Sequence, residues 1–364
     1  MRNIQLIPAN ASPAEVKAYF RAAIEWLPGE QSSCMQSPIG DVALGTTIGS
    51  VRTTNEDRVA VIRTKQDALN SPWYLFAVCD GMGGMKDGEN AAVNALSIFL
   101  ATALSSRLGP TKENLLQSID AANKALFDEL KAQGGATLSA CFWDHKHLLI
   151  ANVGDSRVWI KRADKELEQV TQDDNLAGQL KKQGISVSSD VRNELLQFVG
   201  MGNEVQPHVF EVDAKVGDTV IITSDGIHRI HTDTLNRVVV SASSPASLVE
   251  RLLSLSIWNG GEDNASVIVC RLPKAGAFQA GNADLWTPCS LHRLVRGSQP
   301  LKPELQTSKD SESLGGASPK FDNKRDGVGK KSQKTQRATR SNEEDIPQHE
   351  DKGQVDIQIS PDGN

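Results

Sequence analysis

The sequence predicts an α+β fold with antiparallel strands, and three observations point there. Short β-rich runs recur with little between them, as at 137–144 and 147–153, where Trp143-Asp144-His145-Lys146-His147 leaves room only for a tight reversal. Helical periodicity appears in separate, longer stretches near 89–106, 112–131 and 244–256. Acidic residues stand where several of the strand-like runs end. The 364 residues have room for one domain of about 230 residues with appendages. A hydrophobic content of 39% is enough to build its core.

Before the first strand, Ser12-Pro13-Ala14-Glu15 has the form of a helix start, with a capping hydroxyl, Pro in the first turn and Glu reaching back. Val16, Tyr19, Phe20, Ala23, Ile24 and Leu27 then recur at helical spacing until Pro28-Gly29. That stripe packs on the main domain or meets a partner. Strands are expected at 43–51, 57–63, 73–79, 137–144, 147–153, 156–161, 207–212, 218–224 and 265–271, each rich in β-branched and aromatic residues. From Thr171 to Gly202 the pattern loosens, with a short helix near 175–183. Beyond Pro273, and above all from about 298, polar residues dominate, the composition of a disordered tail. Two apolar exceptions stand in it. Leu285-Trp286 with Leu291, Leu294 and Val295 either docks back or anchors elsewhere. Val355 to Ile359 alternates like an edge strand.

The chemistry lies at the strand ends. Tyr74 to Cys79 reads as a buried strand and runs into Asp80-Gly81-Met82-Gly83-Gly84. A carboxylate there is costly to desolvate unless a cation meets it, and the glycines expose peptide oxygens. Glu56-Asp57 precedes the strand at Arg58, Ser224-Asp225-Gly226 follows the run at 220–223, and Glu262-Asp263-Asn264 leads into another. Convergence of Glu56, Asp80, Asp225 and Asp263 would retain protons unless divalent cations lay between them. Oxygen-only ligands favour Mg²⁺ or Mn²⁺ over Zn²⁺.

The ordered set Arg52-x-x-Asn55-Glu56-Asp57, Asp80-Gly81-Met82-Gly83-Gly84, Gly135-Ala136-Thr137, Asn152 to Arg157, Ser224-Asp225-Gly226 and Asp263-Asn264-Ala265-Ser266 resembles the metal-dependent serine/threonine protein phosphatases of the 2C class in their bacterial form. The resemblance spans about 41–272. It divides the chain into an extension at 1–40, a catalytic domain at 41–272 with a substrate-side flap at about 172–202, and a tail at 273–364. It implies an α-β-β-α sandwich of two antiparallel sheets flanked by helices, with two Mn²⁺ or Mg²⁺ ions at one end and hydrolysis of phosphoserine and phosphothreonine by the hydroxide they activate. By the same resemblance Asp80 bridges both ions, the Gly81 carbonyl and Glu56 serve one, and Asp225 and Asp263 serve the other. Asp57 orients these ligands, Asn264 fixes its loop, Arg52 holds the substrate phosphoryl group, and Asp155 belongs to a third, weaker site.

Three departures accompany the match. Met82 and Met85 stand where relatives carry a loop histidine, which leaves His228 or bound water to protonate the leaving group. Arg229 replaces an expected aspartate, so a pairing with Asp155 and a weak or absent third metal are expected. Asp173-Asp174-Asn175 replaces an acid-His-Ser run at the flap. These departures keep a second function in view, a non-catalytic module that binds a phosphoprotein or partner. A net charge of −6 gives no case for nucleic acid or an anionic membrane. Scattered cysteines, no leader-like start and no long apolar run make the cytoplasm the expectation, and the resemblance implies a phosphorylated protein substrate, the target of a Ser/Thr kinase. The N-terminal helix and the tail are the candidate docking segments.

Overall fold

The computed structural model describes residues 12–25, 33–36, 41–64, 72–82, 87–104, 109–185, 194–203, 205–274, 282–288 and 290–295. The expectations for Met85 and for 298–364 fall outside these residues. The chain opens with helix α1 (Pro13–Glu25) and strands β1 (Ser33–Gln36), β2 (Val42–Thr47), β3 (Asp57–Arg63) and β4 (Tyr74–Asp80). Helices α2 (Gly88–Leu104) and α3 (Lys112–Leu130) follow, then strands β5 (Leu138–Trp143), β6 (Leu148–Val153), β7 (Arg157–Lys161) and β8 (Leu167–Gln169). Helix α4 (Leu176–Lys182) precedes β9 (His208–Val212) and β10 (Thr219–Thr223). Helices α5 (Thr232–Ser241) and α6 (Pro245–Trp258) lead to β11 (Ala265–Arg271), β12 (Asn282–Thr287) and β13 (Ser290–Val295).

All strand pairs are antiparallel. One sheet has the order β1-β2-β11-β10-β7-β8, the other β13-β12-β3-β4-β5-β6-β9. Alternation along each central strand sends one set of side chains between the sheets and the other outward under helices. Val59, Val61, Tyr74, Phe76 and Val78 meet Val220, Ile222 and Ile268 in the inter-sheet core. The opposite faces, Ala60, Ile62, Leu75 and Ala77, pack under α1, α2 and α3. On the other side, Ile221, Val267 and Val269 lie with Leu248, Leu252 and Leu253 of α6. This is a four-layer α-β-β-α arrangement.

Several boundaries differ from the sequence reading. The strand expected at 43–51 ends at Thr47, because Gly49 takes φ 81° and its backbone lies against the Gly261 and Asp263 carbonyls. The expected division at residues 41 and 272 is not where the sheets end. β1 pairs with β2, and β12 pairs with β3, burying Leu285 and Trp286. Arg63 lies 4.8 Å over the Trp286 ring. The apolar pair in the C-terminal segment therefore docks back. α5 was missed, because its Val238-Val239-Val240 run favours strand, yet Leu235 and Val239 share one buried face.

The N-terminal helix also packs inward. Ser12 and Glu15 form the anticipated cap, with Ser12 N–H donating to Glu15 Oε2 at 2.7 Å. Tyr19, Phe20, Ala23 and Ile24 are buried against α2 and its neighbours. Arg21 donates to Asn90 (3.1 Å) and Asn94 of α2. The apolar face of α1 is therefore spent inside the fold. Among the described residues no helix is long and apolar enough to cross a membrane.

Candidate metal centre

Adjacent strands set out the site by register. β3 and β4 pair so that Asp57 lies opposite Asp80, and the Gly81 N–H donates to the Glu56 carbonyl at 3.2 Å. The chain after Asp80 can turn here only as glycine, since a Cβ on Gly81 would sit 2.0 Å from the Gly88 carbonyl oxygen. A Cβ on Gly88 would meet Glu56 Oε1 at 2.7 Å. Gly88 is a residue the sequence reading overlooked. The Asp87-Gly88 pair at a helix start is the signal that could have found it.

The other motif segments support this strand end. Thr137 Oγ1 accepts from the Asp80 N–H at 3.1 Å and shares a 2.7 Å hydrogen bond with Ser156. Asn264 accepts from the Glu56 N–H (2.8 Å) and donates to the carbonyls of Ile48 and Thr54 at 2.9 and 3.0 Å. One side chain thus joins the loops that carry Glu56 and Asp263. Ser224 Oγ donates to Asp57 at 2.7 Å and accepts from the Ser266 N–H at 2.9 Å. Asp225 opens the 3₁₀ turn Asp225–Ile227 just after β10.

The carboxyls influence one another strongly. Burial pushes Asp80 well above the usual carboxylate range, and Asp57, Asp225, Asp155 and Asp263 push it further. Asp225 rises to about 8 through burial and then the charges of Asp155, Asp263 and Asp57, and its carboxyl lies within hydrogen-bonding reach of Asp80. Asp57 rises to about 6, chiefly through burial. Glu56 is raised too, by burial above all, although Arg52 opposes the shift.

Arg52 adds the positive charge. Its Nη2 donates to Asp263 Oδ2 at 2.7 Å, and Nη1 lies 3.9 Å from Glu56 Oε2. Burial weakens this charge, but Asp263, Glu56 and Asp225 more than offset that effect.

The donor set suits a hard divalent cation, and the geometry shows how. Burial and mutual repulsion favour the protonated forms of Asp80 and Asp225, and a cation would take the place of those protons. Every nearby donor is oxygen. Among the described residues no three His, Cys, Asp or Glu side chains form a ready coordination shell. The fit is therefore to ions held by few carboxylates, with peptide oxygen and water completing the shell, as Mg²⁺ and Mn²⁺ accept.

One expectation is corrected. Arg229 does not pair with Asp155. Its Nη2 lies 2.7 Å from Glu262 Oε2, with both side chains more than half exposed. The Arg229 backbone carbonyl accepts from Asn259 Nδ2 at 2.6 Å. Asp155 is buried and accepts instead from Asn175 at 3.3 Å. It rises to about 6 through burial and the charge of Asp173. The His228 Nε2 lies 3.4 Å from Thr223 Oγ1, which also accepts from the Trp159 indole N–H at 3.2 Å.

Residues Asp173 and Asp174, in the triplet that departs from the expected run, are tied down. Arg157 grips Asp173 with Nε and Nη2 at 2.9 and 2.5 Å. Asp174 accepts from the Gly154 N–H at 2.9 Å and meets His208 at 3.0 Å. These acids are structural anchors for the loop bearing Asp155.

With the sandwich and the acidic strand ends described, residues 44–179 match the family model of Protein phosphatase 2C. It is 28% identical over 222 residues to the serine/threonine protein phosphatase PstP of Mycobacterium tuberculosis, covering 58% of this chain and 43% of PstP. It thus spans less than half the length of that relative. It is 28% identical to the serine/threonine phosphatase stp of Listeria monocytogenes, over 62% of this chain and 92% of stp. A solved structure of the PstP catalytic domain with 2 manganese ions superposes with a TM-score of 0.55 at 26% identity, covering 67% of this chain and all of that one.

Proposed function

We propose that this chain is a metal-dependent protein phosphatase that hydrolyses phosphoserine and phosphothreonine. One observation carries the reading: Asp80 stands opposite Asp57 at the end of paired strands, in the field of Asp225, Asp155 and Asp263, and Arg52 grips Asp263 of the same cluster. The structure of PstP with manganese, and the names of the relatives, favour catalysis over a purely binding role.

In this reading Asp80, Glu56, Asp225, Asp263 and the Gly81 carbonyl would together hold two Mn²⁺ or Mg²⁺ ions, with water completing the shells. Bound there, the pair supplies Lewis acidity and a nucleophile available at neutral pH. Asp57, fixed by Ser224, orients the ligand loops rather than binding an ion itself. Asn264 keeps the Glu56 and Asp263 loops at a constant separation. Arg52 offers a planar fork to the phosphoryl oxygens while remaining anchored near Asp263. A third ion at Asp155 is weak or absent, because Arg229 brings no carboxylate to it.

The substrate is a phosphorylated protein, the product of a Ser/Thr kinase. The cytoplasm is the proposed setting, since Cys79, Cys141 and Cys270 are buried free thiols of the kind a reducing compartment keeps. The test is direct. Purified protein with Mn²⁺ should release phosphate from a phosphothreonine peptide and stop in EDTA. Absence of metal-dependent turnover on any phosphopeptide overturns the reading.

A further inference from the structure

A buried arginine lies directly beneath this site and has no part in the scheme above. Arg58 is 2% exposed and follows Asp57 on β3. It shares its face of the strand with Ala60 and Ile62, which lie in the apolar layer under α1 and α2. A charge there is expensive, and buried ion pairs are poor stabilisers compared with apolar residues of similar size. Its contacts are specific. Nη1 donates to the carbonyls of Asn55 and Asp57, both at 2.8 Å. Nη2 donates to Glu89 Oε1 at 2.6 Å, in the first turn of α2.

Those two carbonyls flank Glu56 on either side. The Glu56 N–H is held by Asn264 and its own carbonyl by Gly81. The Glu56 carboxylate rests against Gly88, immediately before Glu89. Every backbone handle around Glu56 is therefore fixed, and Arg58 supplies two of them. We infer that Arg58, braced by Glu89, is a positioning residue that aims Glu56 at the metal centre and couples that aim to the first turn of α2. Only a forked guanidinium reaches two carbonyls and a carboxylate together.

The inference rests on the metal-centre reading, and the test separates the two. Mn²⁺ binding to full-length protein is measured by calorimetry for wild type, Arg58→Met and Arg58→Lys, with thermal melts of each metal-free protein. Removing a nearby positive charge would by itself tighten cation binding. The positioning role requires the opposite. Arg58→Met should weaken Mn²⁺ binding about tenfold, within the range that outer partners of metal ligands contribute. Arg58→Lys keeps the charge, loses the fork and should also weaken binding. Equal or tighter binding in the variants, or lower melting temperatures with unchanged affinity, overturns the inference. If wild type takes up no Mn²⁺, the metal-centre reading itself is what fails.

Discussion

At the scale of single residues, the site depends on Asp80 and Arg52 in different ways. Asp80 stands at the centre of the acid cluster, so Asp80→Asn removes a charge that no neighbour can replace without moving a strand. Turnover with Mn²⁺ should fall by more than the about 10–100-fold typical of outer partners. A phosphopeptide assay across a Mn²⁺ titration checks this, and activity restored by added Mn²⁺ would demote Asp80 to a minor ligand. Arg52 touches substrate in the proposed reading, so its loss should appear in KM. Arg52→Ala should cost about 1.5–3 kcal/mol of phosphopeptide binding, the usual range for a charged hydrogen bond. An unchanged KM would return Arg52 to its ion pair with Asp263 as a purely structural feature.

Among the elements, α1 is the informative one. It lies before residue 44, where the family match begins, yet it covers part of the helical layer over β3 and β4. Phe20 is fully buried, and deleting its ring leaves a cavity between two helices that cannot collapse far. Phe20→Ala should cost about 3–5 kcal/mol in denaturant unfolding. If the loss were negligible, α1 would be an ornament rather than a layer of the fold. The same logic applies to the β12–β13 hairpin, whose Trp286 lies in the inter-sheet core and extends the β3 edge.

At the scale of the whole molecule, the acid cluster sets a pH dependence with an unusual sign. Asp225 and Asp57 rise from 3.8 to about 8 and about 6 in the folded protein. A carboxyl with a raised folded pKa binds more protons folded than unfolded. Stability from these groups is therefore largest in acid and declines as pH climbs from about 4 towards 8. The metal-free protein should lose melting temperature across that interval through these groups. A divalent cation competes with the same protons, so Mn²⁺ should raise the melting temperature more at pH 8 than at pH 5.5. Melts in EDTA and in excess Mn²⁺ at both values check this. An equal Mn²⁺ shift at both would show that the ion binds elsewhere.

Periodicity made most strands and the long helices readable, because alternation and the 3.6-residue repeat are local properties of the chain. The six motif segments named the class because their order survives in one dimension. Local reading failed where a long-range neighbour decided the outcome. Val238-Val239-Val240 joined a helix because α6 and the sheet offered that face a partner. Arg229 pairs with Glu262, which lies 33 positions on in the chain, in the loop that precedes β11.

The amino-acid order alone determined which residue types stand at the strand ends, and hence the chemistry on offer. Tertiary structure alone decided which of those groups meet. Burial, register and electrostatic repulsion act between residues far apart in the chain, and they exist only once the two sheets have closed on each other. Arg58 shows the division plainly: the sequence presents an ordinary strand residue, and only packing places it under Glu56.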